Sequence, residues 1–260
     1  MIDPITATGF RKREARAIRA FLLASTVPLT YQDGDLAGVQ GMGCLFDVSG
    51  VLYFVTAGHV LKGISPLKLG VPSGQADSDV LPLGSGLVGW SLQDEYDVAA
   101  YRIDDVVVAA RLREAYIVLS VTNTVRQSTG VDHFIIPGYP YATAIPVGNT
   151  IKPKDITQIH TTRYEEAVVG TRSDFDLFLK LSLTAESLWH QRRDVPVLKG
   201  ISGAPVWQVH ESGSAVWVPE SVLCLVGIQV SCDEKREKYI RALKWPVVQA
   251  ALTKLAPGLN

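Results

Sequence analysis

From residue 29 onward the chain is a succession of short apolar or alternating runs separated by Gly, Pro and Ser. The run 43–48 is apolar, Ser49-Gly50 supplies a turn, and 51–55 is a second apolar run, which together predict a β-hairpin. In 175–183, Phe and Leu alternate with mostly polar residues, the period of a half-buried strand. Further strands are predicted at 98–103, 116–121, 133–136, 206–209, 215–218 and 223–230. Many short strands joined by turns favour an all-β sandwich or barrel.

The two ends of the chain have helical patterns instead. The apolar residues of a predicted N-terminal helix fall on one face: Phe10, Ile18, Phe21 and Leu22. Residues 246–255 predict a C-terminal helix with Pro246 in its first turn. The N-terminal segment loosely resembles a secretory signal, because it is basic at 11–19 and apolar at 21–24, but the apolar part is short and no cleavage site follows. A cytoplasmic protein is therefore expected, with a secreted one as the alternative.

Composition excludes several classes of function. The 260 residues carry a net charge of −1, which gives no general electrostatic reason to bind nucleic acid or an anionic membrane. No apolar run reaches the length of about 18 residues that a membrane span needs. The cysteines (Cys44, Cys224 and Cys232) and the five histidines have no metal-ligand spacing. We therefore expect no metal or cofactor, and we interpret the cysteines as buried thiols in a reducing compartment.

Ser202 is the candidate nucleophile. It lies between Gly200 and Gly203, which allow the backbone to turn so that N–H groups converge on one point, and Pro205 stiffens the strand that follows. An ordinary tight turn is the alternative interpretation. The nucleophile elbow of α/β-hydrolases is excluded, because Ala204 occupies the position of its second glycine and no helix signal follows.

The candidate base and carboxylate each lie at a strand boundary. His59 follows the strand 51–55, and Asp97 opens the strand 97–103. A lone histidine is more often structural, and an aspartate at a strand start is often a surface residue. The nearby acidic competitors, none followed by a comparable run of small apolar residues, are Asp94, Glu95, Asp104 and Asp105. The order His, Asp, Ser is that of chymotrypsin, which makes the three residues a candidate triad.

These segments resemble the chymotrypsin/trypsin-like serine peptidase family, in the branch that includes bacterial and intracellular members. Thr-Ala-Gly-His at 56–59 is similar to the family's T-A-A-H, Asp-Val-Ala at 97–99 to its D-[IL]-A, and Gly-Ile-Ser-Gly-Ala-Pro at 200–205 to its G-[DN]-S-G-G-P. The resemblance covers about residues 36–245. It implies two six-stranded antiparallel β-barrels with the active site in the cleft between them.

With this fold, residues 1–28 are the predicted N-terminal helical extension. Residues 29–125 are the predicted first barrel, which carries His59 and Asp97. Residues 126–260 are the predicted second barrel with Ser202 and the C-terminal helix.

The resemblance also implies a function, that of a serine endopeptidase whose partner is a polypeptide substrate. His59, Asp97 and Ser202 would be its catalytic triad. The predicted oxyanion hole is the segment Gly200, Ile201 and Ser202, with the N–H groups of Gly200 and Ser202 as donors. The predicted substrate-binding edge strand consists of Val230, Ser231 and Cys232.

Three departures from the family pattern qualify this interpretation. Ile201 replaces the Asp that pairs with a freshly cut N-terminus, which argues against activation by N-terminal cleavage. Val60 replaces the Cys that commonly forms a disulfide with the counterpart of Cys44. Pro196 replaces the Asp that selects Lys or Arg. A catalytically silent peptide-binding module on the same fold stays an alternative. So does a protease activated by a regulatory partner that binds the N-terminal helix and the polar segment 232–241.

Overall fold

The computed structural model describes most of the chain. The described residues are 11–33, 36–74, 80–84, 86–90, 96–124, 132–140, 144–147, 150–153, 157–166, 168, 174–181, 184–187, 192–194, 198–210, 216–232 and 239–256. Of the residues named above, Phe10, Asp94, Glu95, Pro196 and 233–238 lie outside them.

The first sheet is built from the N-terminal half of the chain. Its strands are β1 (Val27–Asp33), β2 (Leu36–Val48), β3 (Val51–Ala57), β4 (Leu69–Pro72), β5 (Val80–Pro82), β6 (Val88–Trp90), β7 (Val98–Ile103) and β8 (Val118–Leu119). Seven of them pair antiparallel in the order β5-β4-β1-β2-β3-β7-β6, and β8 pairs with β2 in parallel.

The first sheet curls round on itself. In a flat sheet, β5 and β6 would lie six strand spacings apart, about 29 Å. The chain from Pro82 to Val88 can span only about 21 Å when fully extended, so the two ends of the sheet must approach each other. Tyr101, which is completely buried, holds this link, because its hydroxyl donates to the Gly84 carbonyl at 2.7 Å and accepts from the Gly86 N–H.

The second sheet is built from the C-terminal half. The strands of this half are β9 (Phe134–Gly138), β10 (Ala144–Val147), β11 (Thr150–Pro153), β12 (Thr157–Thr161), β13 (Asp176–Lys180), β14 (Thr184–Ser187), β15 (Arg192–Asp194), β16 (Pro205–Val209), β17 (Leu223–Cys232) and β18 (Tyr239–Lys244). The order is β13-β18-β17-β16-β9-β12-β14-β15, and β10 and β11 form a separate hairpin.

Hydrogen bonds beyond the end of β12 close the second sheet into a barrel. The Lys180 N–H donates to the Thr162 carbonyl and the Tyr164 N–H donates to the Phe178 carbonyl, both at 2.9 Å. The chain after β12 therefore lies beside β13, and six strands (β9, β12, β13, β16, β17 and β18) form a ring. The predicted all-β fold with two antiparallel barrels is confirmed. The first barrel has seven antiparallel strands rather than six, because the short β5 extends the edge of β4.

A helix lies near each end of the described chain, as predicted. The helices are α1 (Lys12–Ser25), α2 (Gly58–Leu61), α3 (Val106–Ala115) and α4 (Trp245–Leu255). In α1, Phe21 packs its ring edge-on against Trp207 of β16, with ring centroids 5.3 Å apart. In α4, Pro246 lies in the first turn, and one face of the helix is buried through Val248 and Leu252. Within the described residues, no helix has the length and apolar character needed to cross a membrane.

Two of the predicted strands differ in the structure. Of 116–121, only Val118–Leu119 is a strand, and helix α3 precedes it because the Asp105 carboxylate accepts hydrogen bonds from the Val107 and Val108 N–H groups at the helix start. The described part of 215–218 is not a strand but leads into a short 3-10 helix at Pro219–Ser221.

Candidate active site

His59 and Asp97 are brought together by the pairing of β3 with β7. Ala57, the last residue of β3, pairs with Val98, the first residue of β7. The residues just beyond this pair are therefore adjacent, and the Gly58 N–H donates to the Asp97 carbonyl at 2.9 Å. The strand register thus fixes the start of α2, which carries His59, beside Asp97.

Both carboxylate oxygens of Asp97 contact His59. Oδ2 lies 2.5 Å from the imidazole Nδ1, and Oδ1 accepts the backbone N–H of His59 at 2.6 Å. A carboxylate can only accept, so Nδ1 carries the proton and Nε2 is left as the acceptor. The His59 side chain is 48% exposed, which leaves that acceptor accessible from solvent.

Electrostatics keep Asp97 ionised. Burial alone would raise the pKa of this carboxyl. The hydrogen bonds and charge of His59, together with the charge of Arg241, outweigh burial and hold the pKa below its ordinary value. Asp97 is therefore a carboxylate at neutral pH.

The residue before Asp97 packs against the second barrel. The ring of Tyr96, next to Asp97, lies 5.0 Å from the ring of Phe175, next to Asp176. Asp176 is buried and accepts a hydrogen bond from Nε of Arg241 at 2.8 Å. The contact between Tyr96 and Phe175 thus joins the two barrels beside the candidate carboxylate, and the Asp176–Arg241 pair lies within the second barrel.

Ser202 lies in a tight turn between two glycines with positive φ. Gly200 has a φ of 94° and Gly203 a φ of 91°, a backbone conformation that other residues rarely adopt. The Ala204 N–H donates to the Ile201 carbonyl at 2.9 Å and closes the turn around Ser202. Ser202 is half-buried, and its hydroxyl makes no hydrogen bond within the described residues, including His59.

Both barrels hold the Ser202 turn. From the first, the Met42 N–H of β2 donates to the Ser202 carbonyl at 2.7 Å. From the second, the backbone carbonyl of Gln229 in β17 accepts the Gly203 N–H at 2.8 Å. The backbone N–H of Gln229 donates to the Ala204 carbonyl at 2.9 Å. The turn is therefore fixed at the junction of the barrels.

Gly203 also places the turn against the end of β3. A Cβ added to Gly203 would lie 2.0 Å from the Met42 carbonyl oxygen, 2.1 Å from Thr56 Oγ1 and 3.0 Å from the Ala57 nitrogen. Ala57 is two residues before His59. The fold thus brings the turn that carries Ser202 next to the segment that carries His59.

We expect Gly203→Ala to lower the free energy of unfolding by more than about 2 kcal/mol, because the added methyl group meets backbone atoms at a positive φ. Urea denaturation measures this loss. The matched control is Gly63→Ala, since Gly63 has a φ of 78° and no atom within 4 Å of an added Cβ. Equal losses in the two variants would contradict the close approach of the turn to β3.

The residues of the predicted oxyanion segment differ in the hydrogen bonds of their backbone N–H groups. The N–H groups of Gly200 and Ser202 donate no hydrogen bond within the part of the chain that the structure describes. The N–H of Ile201, which was not among the predicted donors, donates to the Leu198 carbonyl at 3.2 Å. Its side chain is 1% exposed and contacts Gly138, where an added Cβ would lie 2.9 Å from Ile201 Cγ2. Ile201 thus anchors the turn.

The predicted substrate edge lies at the end of β17. Pairing of β17 with β16 stops at Ile228, whereas β18 continues along Ser231 and Cys232. Within the described strands, β17 therefore pairs with β18 but no longer with β16 at Ser231. Val230 is buried, Ser231 is exposed and Cys232 is half-buried.

None of the three cysteines forms a disulfide. Cys44 is completely buried, which raises the pKa of its thiol. No group of three or more His, Cys, Asp or Glu side chains in the described ranges is arranged to hold a metal ion.

Sequence reasoning missed Met42, Arg241, Asp176 and Gln229. Only Gln229 leaves a sequence signal, as a polar residue in the middle of the apolar run 223–230. The others act through contacts between residues distant in sequence, which no local pattern reveals.

No protein-family model and no curated protein matches the sequence. Among solved structures, the chain is similar to the thermostable serine protease AL20 from an extremophilic microorganism, with a TM-score of 0.53 and 11% identity over 88% of this chain and 98% of that chain. It is also similar to Rv3671c from M. tuberculosis H37Rv, in the inactive form of a serine-to-alanine mutant, with a TM-score of 0.49 and 14% identity over 93% of this chain and 91% of that one. At these identities the likeness concerns the fold alone. With two antiparallel barrels that meet at His59, Asp97 and the Ser202 turn, the chain has the chymotrypsin-like fold of the trypsin-like serine proteases.

Proposed function

We propose that the chain is a serine endopeptidase that hydrolyses peptide bonds through His59, Asp97 and Ser202. This proposal rests on the His59–Asp97 pair, which is joined by two hydrogen bonds and lies beside the Ser202 turn at the junction of the two barrels. A serine hydroxyl becomes a useful nucleophile only when a base removes its proton. The tautomer that Asp97 imposes on His59 supplies that base at Nε2.

The reaction follows from these roles. Ser202 Oγ, free of hydrogen bonds to the described residues, rotates about its Cα–Cβ bond toward His59 Nε2 as substrate binds. Catalytic hydrogen bonds of this kind are often absent until the substrate complex forms. Ser202 attacks the peptide carbonyl while His59 takes its proton and then gives it to the leaving amine. Water, activated by His59, releases the acyl group from Ser202.

The N–H groups of Gly200 and Ser202 are the proposed donors to the oxyanion. Oxyanion donors must be fixed before the reaction, since their reorganisation would cost part of the stabilisation. The buried side chain of Ile201 lies between them and packs against Gly138. We infer that this apolar anchor holds the donors in place without the charged N-terminus that some relatives of this fold need.

A fluorophosphonate probe tests the proposed function directly, because it reacts with a serine only when a base and oxyanion donors activate it. The wild-type protein should be labelled at Ser202, as located by mass spectrometry of the digested protein. Labelling should be lost in His59→Gln and in heat-denatured wild type. Labelling that is equal in native and denatured protein would contradict an activated serine.

A peptide-binding module on the same fold is the second candidate. It is favoured by one observation, that the Ser202 hydroxyl makes no hydrogen bond with His59 in this structure. Such a module would bind peptides at the 230–232 edge without cleaving them. A folded protein that binds peptides but never reacts with the probe would establish this candidate in place of the peptidase.

A further inference from the structure

Gln229 is a buried polar residue of β17, next to the Ser202 turn. It is 1% exposed, and its Oε1 is buried without a hydrogen-bond donor from the described residues. A buried amide oxygen without a donor is unfavourable, so such groups call for an explanation. The proposed reaction does not use this amide.

The backbone of Gln229 fixes it beside the nucleophile. Its carbonyl accepts the N–H of Gly203 and its N–H donates to the carbonyl of Ala204. Gly203 directly follows Ser202, so these two hydrogen bonds hold the backbone of Gln229 beside the turn that carries the proposed nucleophile.

The strand register gives the direction of the side chain. Gln229 pairs with Ala242 of β18, and Ala242 pairs with Leu177 of β13. Directly paired residues point to the same face of a sheet. Ala242 and Leu177 belong to the core inside the second barrel, together with Leu198 and Ile201, which precede Ser202. The Gln229 side chain thus points into the core of the second barrel, to which Leu198 and Ile201 also belong.

A bound substrate would place one of its own side chains near the Gln229 amide. If the substrate pairs with the 230–232 edge and its reacting carbonyl meets Ser202, the side chain of the residue that supplies this carbonyl lies between β17 and the 198–202 segment. The described core side chains Leu177, Leu198 and Ile201 are apolar, and Thr157, which pairs with Gly138 beside Ile201, adds a buried hydroxyl. A charged side chain would be buried without a described counter-charge, which is costly.

We infer that Gln229 is a specificity-determining residue that selects a carboxamide side chain, Gln or Asn, on the N-terminal side of the scissile bond. The inference rests on the proposed function. An amide presents one acceptor and two donors, and a second amide complements both at once. Apolar side chains would leave the Gln229 oxygen without a donor, and charged ones would lose their hydration.

Cleavage of a peptide library that varies only this residue tests the inference. Wild type should cleave after Gln with a kcat/KM about tenfold above that after the isosteric Met. Gln229→Met should remove this preference, and Gln229→Glu should move it toward Lys. The matched control is Gln158→Met, because Gln158 is also 1% exposed and lacks side-chain partners but pairs with Pro137 on β9. Its preference should equal that of wild type.

A binding measurement separates this inference from the proposed function. Calorimetry with peptides that end in Gln or Met should show the same preference in the Ser202→Ala variant, in which no cleavage can occur. Absence of all cleavage, with the preference retained in binding, would contradict the peptidase and leave Gln229 as the selecting residue. Equal binding and cleavage of Gln and Met peptides, or a preference that survives Gln229→Met, would overturn the inference.

Discussion

Ser202→Ala is expected to lower kcat for peptide hydrolysis by about 10⁶-fold, with little change in KM. The hydroxyl is the group that would form the acyl-enzyme, and the variant lacks it. The fold should persist, because the turn is held through the Ser202 carbonyl, which accepts from Met42, and not through the hydroxyl. Initial rates on a fluorogenic peptide measure kcat and KM. The thermal unfolding midpoint of the same sample shows whether the fold is retained.

Ser65→Ala is the matched control for this variant. Ser65 is exposed, and its side chain makes no capping hydrogen bond at the 3-10 helix that it precedes. Its kcat and stability should equal those of wild type. If Ser202→Ala retained more than about a hundredth of wild-type kcat, the residual rate would require another nucleophile and the triad would be refuted.

Much of the fold could be predicted because its signals are local. Alternation in 175–183 and the turn at Ser49-Gly50 depend on side-chain period and turn chemistry. Helix α3 was not predicted, because three successive valines at 106–108 have a low helix propensity, whereas the Asp105 cap and the packing of Val108 and Leu112 favour a helix. Tertiary context decided this segment.

In the candidate site, too, the features that depend on local sequence could be predicted and those that depend on tertiary packing could not. His59 and Asp97 could be paired in advance because each lies at the end of a strand, and neighbouring strands of one barrel bring such ends together. The occupied N–H of Ile201 could not be foreseen, since it depends on the carbonyl of Leu198 and the path of the turn. The position of Gly203 against Met42 and Thr56 is likewise set by how the barrels pack.

Asp97→Asn is expected to lower kcat/KM by about 10⁴-fold while the fold is retained. The Asn side chain has the same shape, but its amide can donate to Nδ1 of His59. The imidazole would then carry its proton on Nε2 and could not accept the Ser202 proton. Because the pKa of Asp97 is held below its ordinary value, the wild-type carboxylate is ionised from about pH 5 upward. The deficit should therefore extend across neutral pH.

Asp105→Asn provides the control that distinguishes this effect from a general loss of charge. Asp105 caps α3, and Asn is an equally good N-cap, so activity and stability should not change. A pH profile of kcat/KM should give Asp97→Asn a uniform deficit at pH 6 to 8, with an unfolding midpoint near that of wild type. A deficit below about tenfold would mean that Asp97 only supports the backbone of His59 through Oδ1, because that contact survives the substitution whereas control of the tautomer does not.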